Sequence, residues 1–143
     1  MLIGDGVVPG NEGRGYVLRR MMRRTIRNMR ILGANDSIIK ELTLASIGAM
    51  GPQYPELIEN QKRILAISES EEDSFSQTLK SGTQIFDTAI SNVQKRGGNQ
   101  VDAQTVFKLH DTYGFPFDLT LEMAAEKGVL IEEIGRAHVW TPV

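Results

Sequence analysis

The sequence predicts an all-α fold, a helical bundle with one long, bent member, and three observations carry that expectation. Apolar residues recur at three- and four-residue spacing over long stretches. Glycine and proline cluster between those stretches, and no alternating run of useful length marks a strand. The opening segment, 1–15, holds Gly4, Gly6, Gly10, Gly13 and Gly15 with Pro9 and no sustained period, so it reads as a loop leading into the first helix. That helix starts near Tyr16, and Gly33 would close it. Asp36 is a candidate N-cap for a second helix reaching Met50, with Ile38, Ile39, Leu42, Ala45 and Ala49 at helical spacing.

The run GPQYP then breaks the chain, and Pro55 suits a first helical turn, where its missing N–H is no loss. From Glu56 to about Gln94 runs a long helical pattern built on Leu57, Ile64, Leu65, Phe75, Leu79, Phe86, Ala89, Ile90 and Val93. Ser68, Glu72 and Gly82 interrupt it, which argues against a coiled coil and makes Ser81–Gly82 the candidate bend. The acidic cluster Glu69, Glu71, Glu72 and Asp73 reads as a solvated face. KRGGNQ is a loop, Asp102 to about Leu109 a short helix, DTYGFP a turn, and Asp118 to Lys127 a last helix ended by Gly128.

Composition narrows the function classes. At 143 residues and 41% hydrophobic, the chain matches one ordinary domain with enough apolar content for a core. No apolar run approaches the roughly 20 residues that span a bilayer, and the N-terminus lacks the layout of a signal peptide, so a cytoplasmic protein without membrane partners is expected. Zero cysteines exclude disulfides and thiolate metal sites, and His110 and His138 alone make no zinc constellation. Metal chemistry is not expected within this segment.

The final stretch, EIGRAHVWTPV (133–143), matches the translation of a sequencing adapter. ATC GGA AGA GCA CAC GTC TGA ACT CCA GTC specifies Ile134 to Val143 when TGA is read as tryptophan, and the preceding AG completes the Glu133 codon. Residues 133–143 are therefore read as an adapter tail, Trp140 and His138 carry no function, and the natural sequence is expected to continue beyond about Glu132.

Charge is distributed unevenly. Net charge is only −2, yet Arg14, Arg19, Arg20, Arg23, Arg24, Arg27 and Arg30 fall in one run, with no acidic residue from Gly13 to Asn35. At about 100° per residue, all but Arg14 fall within an arc of roughly 140°. Val17, Leu18, Met21, Met22, Ile26, Met29 and Leu32 fill the rest, so the helix is expected to bury one side and hold a basic face toward solvent. A surface laced with salt bridges would carry acids three or four residues from the arginines, and this run has none. The compensating charge is either the acidic face of the long helix or the phosphates of a nucleic acid, whose oxygens suit the planar guanidinium fork.

Other motifs carry less. GDGVVPGNEGRG matches neither a P-loop nor a dinucleotide fingerprint. The carboxylate pairs Glu132/Glu133 and Asp111/Asp118 show no sign of a cleft, and His110 beside a turn reads as a packing or hydrogen-bonding residue.

Two long motifs about 100 residues apart are more specific. DGVVPGNEGRGYVLRRMMRRTIR (5–27) resembles the segment that follows the class-defining motifs of alanyl-tRNA synthetases, and FKLHDTYGFPFDLT (107–120) resembles a second signature of that family. Between them, YPELIENQ and ESEEDSFSQTLKSG are similar to the family's intervening helices, so the resemblance runs from about Ile3 to Glu132. His110 departs from it, standing where the family more often has tyrosine.

The resemblance implies the helical tRNA-recognition domain of a class II synthetase, over 16–132, truncated at both ends. Residues 1–15 would then continue from a catalytic domain outside this chain. It implies a parent that joins alanine to its tRNA with ATP and magnesium, with zinc in an editing domain, and a segment that is inactive alone. It also implies two partners, the acceptor stem of the alanine tRNA and the remainder of the synthetase. Family residues that read the G·U wobble pair of that stem match Asn11 and Asp111.

An A-form stem shows base edges in a wide minor groove, where the wobble guanine's 2-amino group lacks its usual partner. A carboxylate such as Asp111 can accept from it, and Asn11 offers both an acceptor and donors. Arg14, Arg19, Arg20, Arg23, Arg24 and Arg27 are then the candidates for backbone contact, which positions without reading sequence. A free-standing helical nucleic-acid-binding module and a purely structural bundle with internally paired charges stay open as alternatives.

Overall fold

The computed structural model describes residues 1–34 and 36–131; the adapter reading of 133–143, with Trp140 and His138, lies outside the described residues. The chain is helical as expected. In order come α1 (Gly13–Ile31), α2 (Ile39–Met50), α3 (Pro55–Glu59), α4 (Gln61–Lys95), β1 (Gln100–Val101), α5 (Ala103–Tyr113), α6 (Phe117–Glu126) and β2 (Leu130–Ile131). By its contacts the chain divides into two compact units, Met1–Ser74 and Phe75–Val143, a division that falls inside α4 and that no linker in the sequence marks.

Several boundaries move for physical reasons. Three residues before the expected start, at Gly13, α1 already begins, so Arg14 lies in its first turn. Asp36 does not cap α2. That role falls to Glu72 of α4, whose carboxylate accepts from the backbone N–H of Ile38 (3.0 Å) and Ile39 (3.3 Å) and from Ser37 Oγ (2.6 Å). A carboxylate at the positive end of a helix satisfies orphan N–H groups as a local cap would, but from 33 to 35 residues away it leaves no trace in local sequence. The pattern starting at Glu56 is two helices, because Asn60 closes α3 through its N–H to Glu56 O (3.0 Å) before α4 begins.

In α4 the seam that looked interrupted is continuous. Ile64, Ser68, Glu72, Phe75, Leu79, Gly82, Phe86, Ile90 and Val93 are all buried, and the helix runs unbroken through Ser81 and Gly82. Gly82 is there for space. A Cβ at that position would lie 2.4 Å from Phe115 Cε1 and 2.7 Å from its Cζ, so only glycine lets the ring seat. Phe115 in turn meets Phe75 edge-to-face at 5.5 Å between centroids.

The second unit is closed by a short element that no sequence pattern announced. Val101 pairs with Ile131 and Gln100 with Leu130 in a two-residue parallel ladder that brackets α5 and α6. Asp102, expected as the first residue of α5, is its N-cap, accepting from Thr105 N at 3.2 Å. That helix extends to Tyr113, four residues beyond the expected end, and stops at Gly114, whose φ of +68° puts Phe115 N onto Leu109 O at 3.0 Å. Asp111 is thus in the last helical turn and not in a loop. Among the described residues no helix is long and apolar enough to cross a membrane.

Candidate nucleic-acid interface

In the first unit the basic helix is rotated about its axis relative to the expectation. Tyr16, Leu18, Met22 and Ile26 are buried and Arg23 is buried with them at 4% exposure, while Val17, Met21 and Leu32 are exposed. The cause lies opposite, on α4. Glu71 and Glu72, read from the sequence as part of a solvated face, are 5% and 1% exposed, and only Asp73 of that cluster is fully on the surface.

Arg23 donates to Glu71 Oε1 from Nη2 (2.6 Å) and Nε (3.1 Å), and Arg19 Nε lies 3.1 and 3.2 Å from the two oxygens of the same carboxylate. Farther along, Arg30 Nη2 lies 3.7 Å from Glu72 Oε2 and its Nη1 donates to the carbonyls of Ala34 (3.2 Å) and Asp36 (3.0 Å). Burial lowers the Arg23 pKa, the Glu71 hydrogen bond and charge oppose that, and the neighbouring Arg19 charge adds to the lowering.

The seven arginines therefore separate into two rows. Arg19, Arg23 and Arg30 face α4, where two carboxylates answer their three charges. Arg14 and Arg24 are exposed and Arg20 and Arg27 half-buried. By helical spacing these four share the outward arc with Val17 and Met21. Arg23 has its guanidinium committed inside the protein.

Asn11 is positioned by a loop folded back onto α1. Gly10 N donates to Gly15 O at 3.1 Å, and a Cβ on Gly15 would lie 2.5 Å from Val8 O, so the crossing requires glycine. Upstream, Arg63 holds the carbonyls of Ile3 (3.1 Å) and Gly4 (3.2 Å). Asn11 itself is exposed, and its Oδ1 accepts from Arg19 Nη1 at 2.8 Å. A concavity of about 340 Å³ opens alongside, lined by Val8, Pro9, Arg19, Ser70, Glu71 and Ser74 among others.

Asp111 belongs to the second unit. Its side chain is 72% exposed and lies 3.0 Å from His110 Nδ1, while the His110 ring stacks on Phe117 at 4.0 Å between centroids and 5° between planes. His110 is thus a packing and hydrogen-bonding residue that steadies its neighbour. Two of these charges sit against the helix dipole, Arg14 in the first turn of α1 and Asp111 in the last turn of α5. Each placement costs about 0.3–1 kcal/mol of helix stability on the usual scale, which is the kind of local conflict that functional sites tolerate.

Glu71, Glu72 and Gly15 are the site-building residues that sequence reasoning missed. A signal existed for Glu72 alone, since the seam spacing of α4 places it on the buried stripe.

The family described as tRNA synthetases class II (A) matches residues 1–140. Over 135 residues, 94% of the chain, it is 57% identical to the alanine–tRNA ligase of Streptomyces avermitilis and 55% identical to those of Frankia casuarinae and Frankia alni. It spans 15% of the length of each of these curated relatives.

Proposed function

Because the chain belongs to the class II (A) tRNA synthetases, we propose that it is the acceptor-stem-binding segment of an alanine–tRNA ligase and reads a G·U wobble pair in that stem. The observation that carries this reading is the exposure of Asn11, in a loop hydrogen-bonded to α1, and of Asp111, in the last turn of α5. Asp111, as a carboxylate, accepts from the guanine 2-amino group that wobble geometry leaves exposed in the minor groove. Asn11 supplies the second base-edge contact.

Arg14, Arg20, Arg24 and Arg27 grip phosphates and set the register, while Arg19 and Arg23 act chiefly through Glu71. The parent enzyme would use ATP and magnesium at a catalytic site outside these residues, with zinc in an editing domain, and would work in the cytoplasm. A purely structural role for the basic helix has one observation in its favour, the pairing of Arg19, Arg23 and Arg30 with Glu71 and Glu72.

Salt dependence separates the two readings. Four phosphate contacts predict a slope of log K against log salt of roughly −3, from about −0.7 to −0.9 per contact. Fluorescence anisotropy with an RNA acceptor hairpin between 50 and 200 mM salt, conditions on the order of those in which such slopes are resolved, measures it. A flat response, or no binding, would favour the structural role and refute the proposal.

A further inference from the structure

We propose that Arg19 is a positioning residue that fixes which end of the Asn11 carboxamide meets the ligand, so that Asn11 acts as a hydrogen-bond donor to an acceptor atom of the RNA. The inference rests on the reading above that Asn11 contacts a base pair, and it adds how that contact is set. A guanidinium has donors and no acceptor, so the amide atom 2.8 Å from Arg19 Nη1 must be the oxygen. The NH2 group is then the end left for a ligand. Asn11 by itself could present either end; held this way, it presents only donors.

The clamp reaches back into the protein. Arg19 Nε lies on the Glu71 carboxylate at 3.1 and 3.2 Å, and the buried Arg23 also donates to that carboxylate, from Nη2 to Oε1 at 2.6 Å. Because a guanidinium is planar, seating Nε on Glu71 fixes where Nη1 points. The remaining Arg19 nitrogen, Nη2, faces the Pro9 carbonyl at 3.5 Å, in the loop that carries Asn11. Turning the Asn11 amide over would set its NH2 against a guanidinium and break a charge-assisted hydrogen bond. Lysine could keep the charge opposite Glu71, but its single nitrogen cannot also reach Asn11 in the same plane.

The test uses the whole chain, with two RNA hairpins that differ only in carrying G·U or G·C at one pair, and a third in which the wobble uridine is 2-thiouridine, whose sulfur is a poor acceptor. Arg19→Lys should lower the G·U over G·C preference by about five- to tenfold, the loss of one polar contact. Affinity for the G·C hairpin and the salt slope should change little. In the unmodified chain, the 2-thio hairpin should bind more weakly than the G·U hairpin, and Arg19→Lys should narrow that difference.

An equal loss for all hairpins, with a salt slope shallower by about one contact, would make Arg19 a phosphate ligand and overturn the inference, as would an unchanged preference. A readout without RNA or substitution is the 15N relaxation of the Asn11 side-chain NH2: the clamp predicts an ordered amide on an exposed residue, and free-rotor values would overturn it. If that amide is ordered but the unmodified chain does not prefer G·U, the base-pair reading of the site is at fault, and the donor assignment falls with it.

Discussion

Replacing Glu71 by glutamine should destabilise the first unit far more than any other neutralisation in the same acidic run. Glu71 accepts from two guanidinia at distances between 2.6 and 3.2 Å, and both it and Arg23 are nearly inaccessible, at 5% and 4% exposure. A pair of unit charges about 4 Å apart interacts by about 4 kcal/mol at an effective dielectric of 20, and that attraction offsets the cost of desolvating Arg23. Glutamine keeps the shape and one acceptor oxygen, but it brings an NH2 against a donor-only partner.

Leaving a buried charge without its counter-ion costs about 3–5 kcal/mol, so the melting temperature should fall by on the order of 10 °C for a chain of this size. Asp73→Asn is the control, two residues away and exposed, where the change should stay within about 0.5 kcal/mol. Urea titration and thermal melts followed by far-UV circular dichroism measure both. If Glu71→Gln costs less than about 1 kcal/mol, or no more than Asp73→Asn, the buried triad does not hold the two helices as described.

Glu72→Ala removes the distant cap of α2 and leaves the N–H groups of Ile38 and Ile39 unpaired. A loss of about 1–3 kcal/mol is expected, with faster amide exchange at the start of α2 as the specific signature. Gly82→Ala should destabilise the second unit by about 1–3 kcal/mol, even though alanine is the better helix former by about 1 kcal/mol, because its methyl would overlap the Phe115 ring; a stabilised variant in denaturant titration would contradict that packing. The chain on its own should show no alanine-dependent ATP–pyrophosphate exchange, and measurable exchange would show that these residues hold a catalytic site.

The helical architecture was legible because burial follows period: α1, α2, α5 and α6 appear within a few residues of where apolar spacing and Gly or Pro signals put them. What was not legible depends on residues far apart in the chain. Glu71 looks like a surface residue in any local window, since nothing near it in sequence says that two arginines some fifty positions earlier will meet it. Glu72 as the cap of α2, Gly82 as the seat of Phe115 and the Val101–Ile131 ladder are hidden for the same reason.

The basic face illustrates both sides. Its charge was plain in the sequence, and so was the choice between an internal and an external counter-charge. That Glu71 and Glu72 answer one row, Arg19, Arg23 and Arg30, follows from the rotation of α1, which periodicity leaves open. Asn11 and Asp111 were marked by family resemblance. Their supports, Gly15, Arg19 and His110, came from packing and hydrogen bonds.

Base-pair discrimination tests the central claim most directly. Anisotropy titrations of acceptor hairpins carrying G·U or G·C should show the unmodified chain preferring the wobble pair, while Asn11→Ala and Asp111→Ala should each reduce that preference by about 1–3 kcal/mol with affinity for the G·C hairpin largely kept. Equal losses on both hairpins in these two variants would contradict the account, since Asn11 and Asp111 would then be holding the protein together or gripping the backbone and not reading the pair.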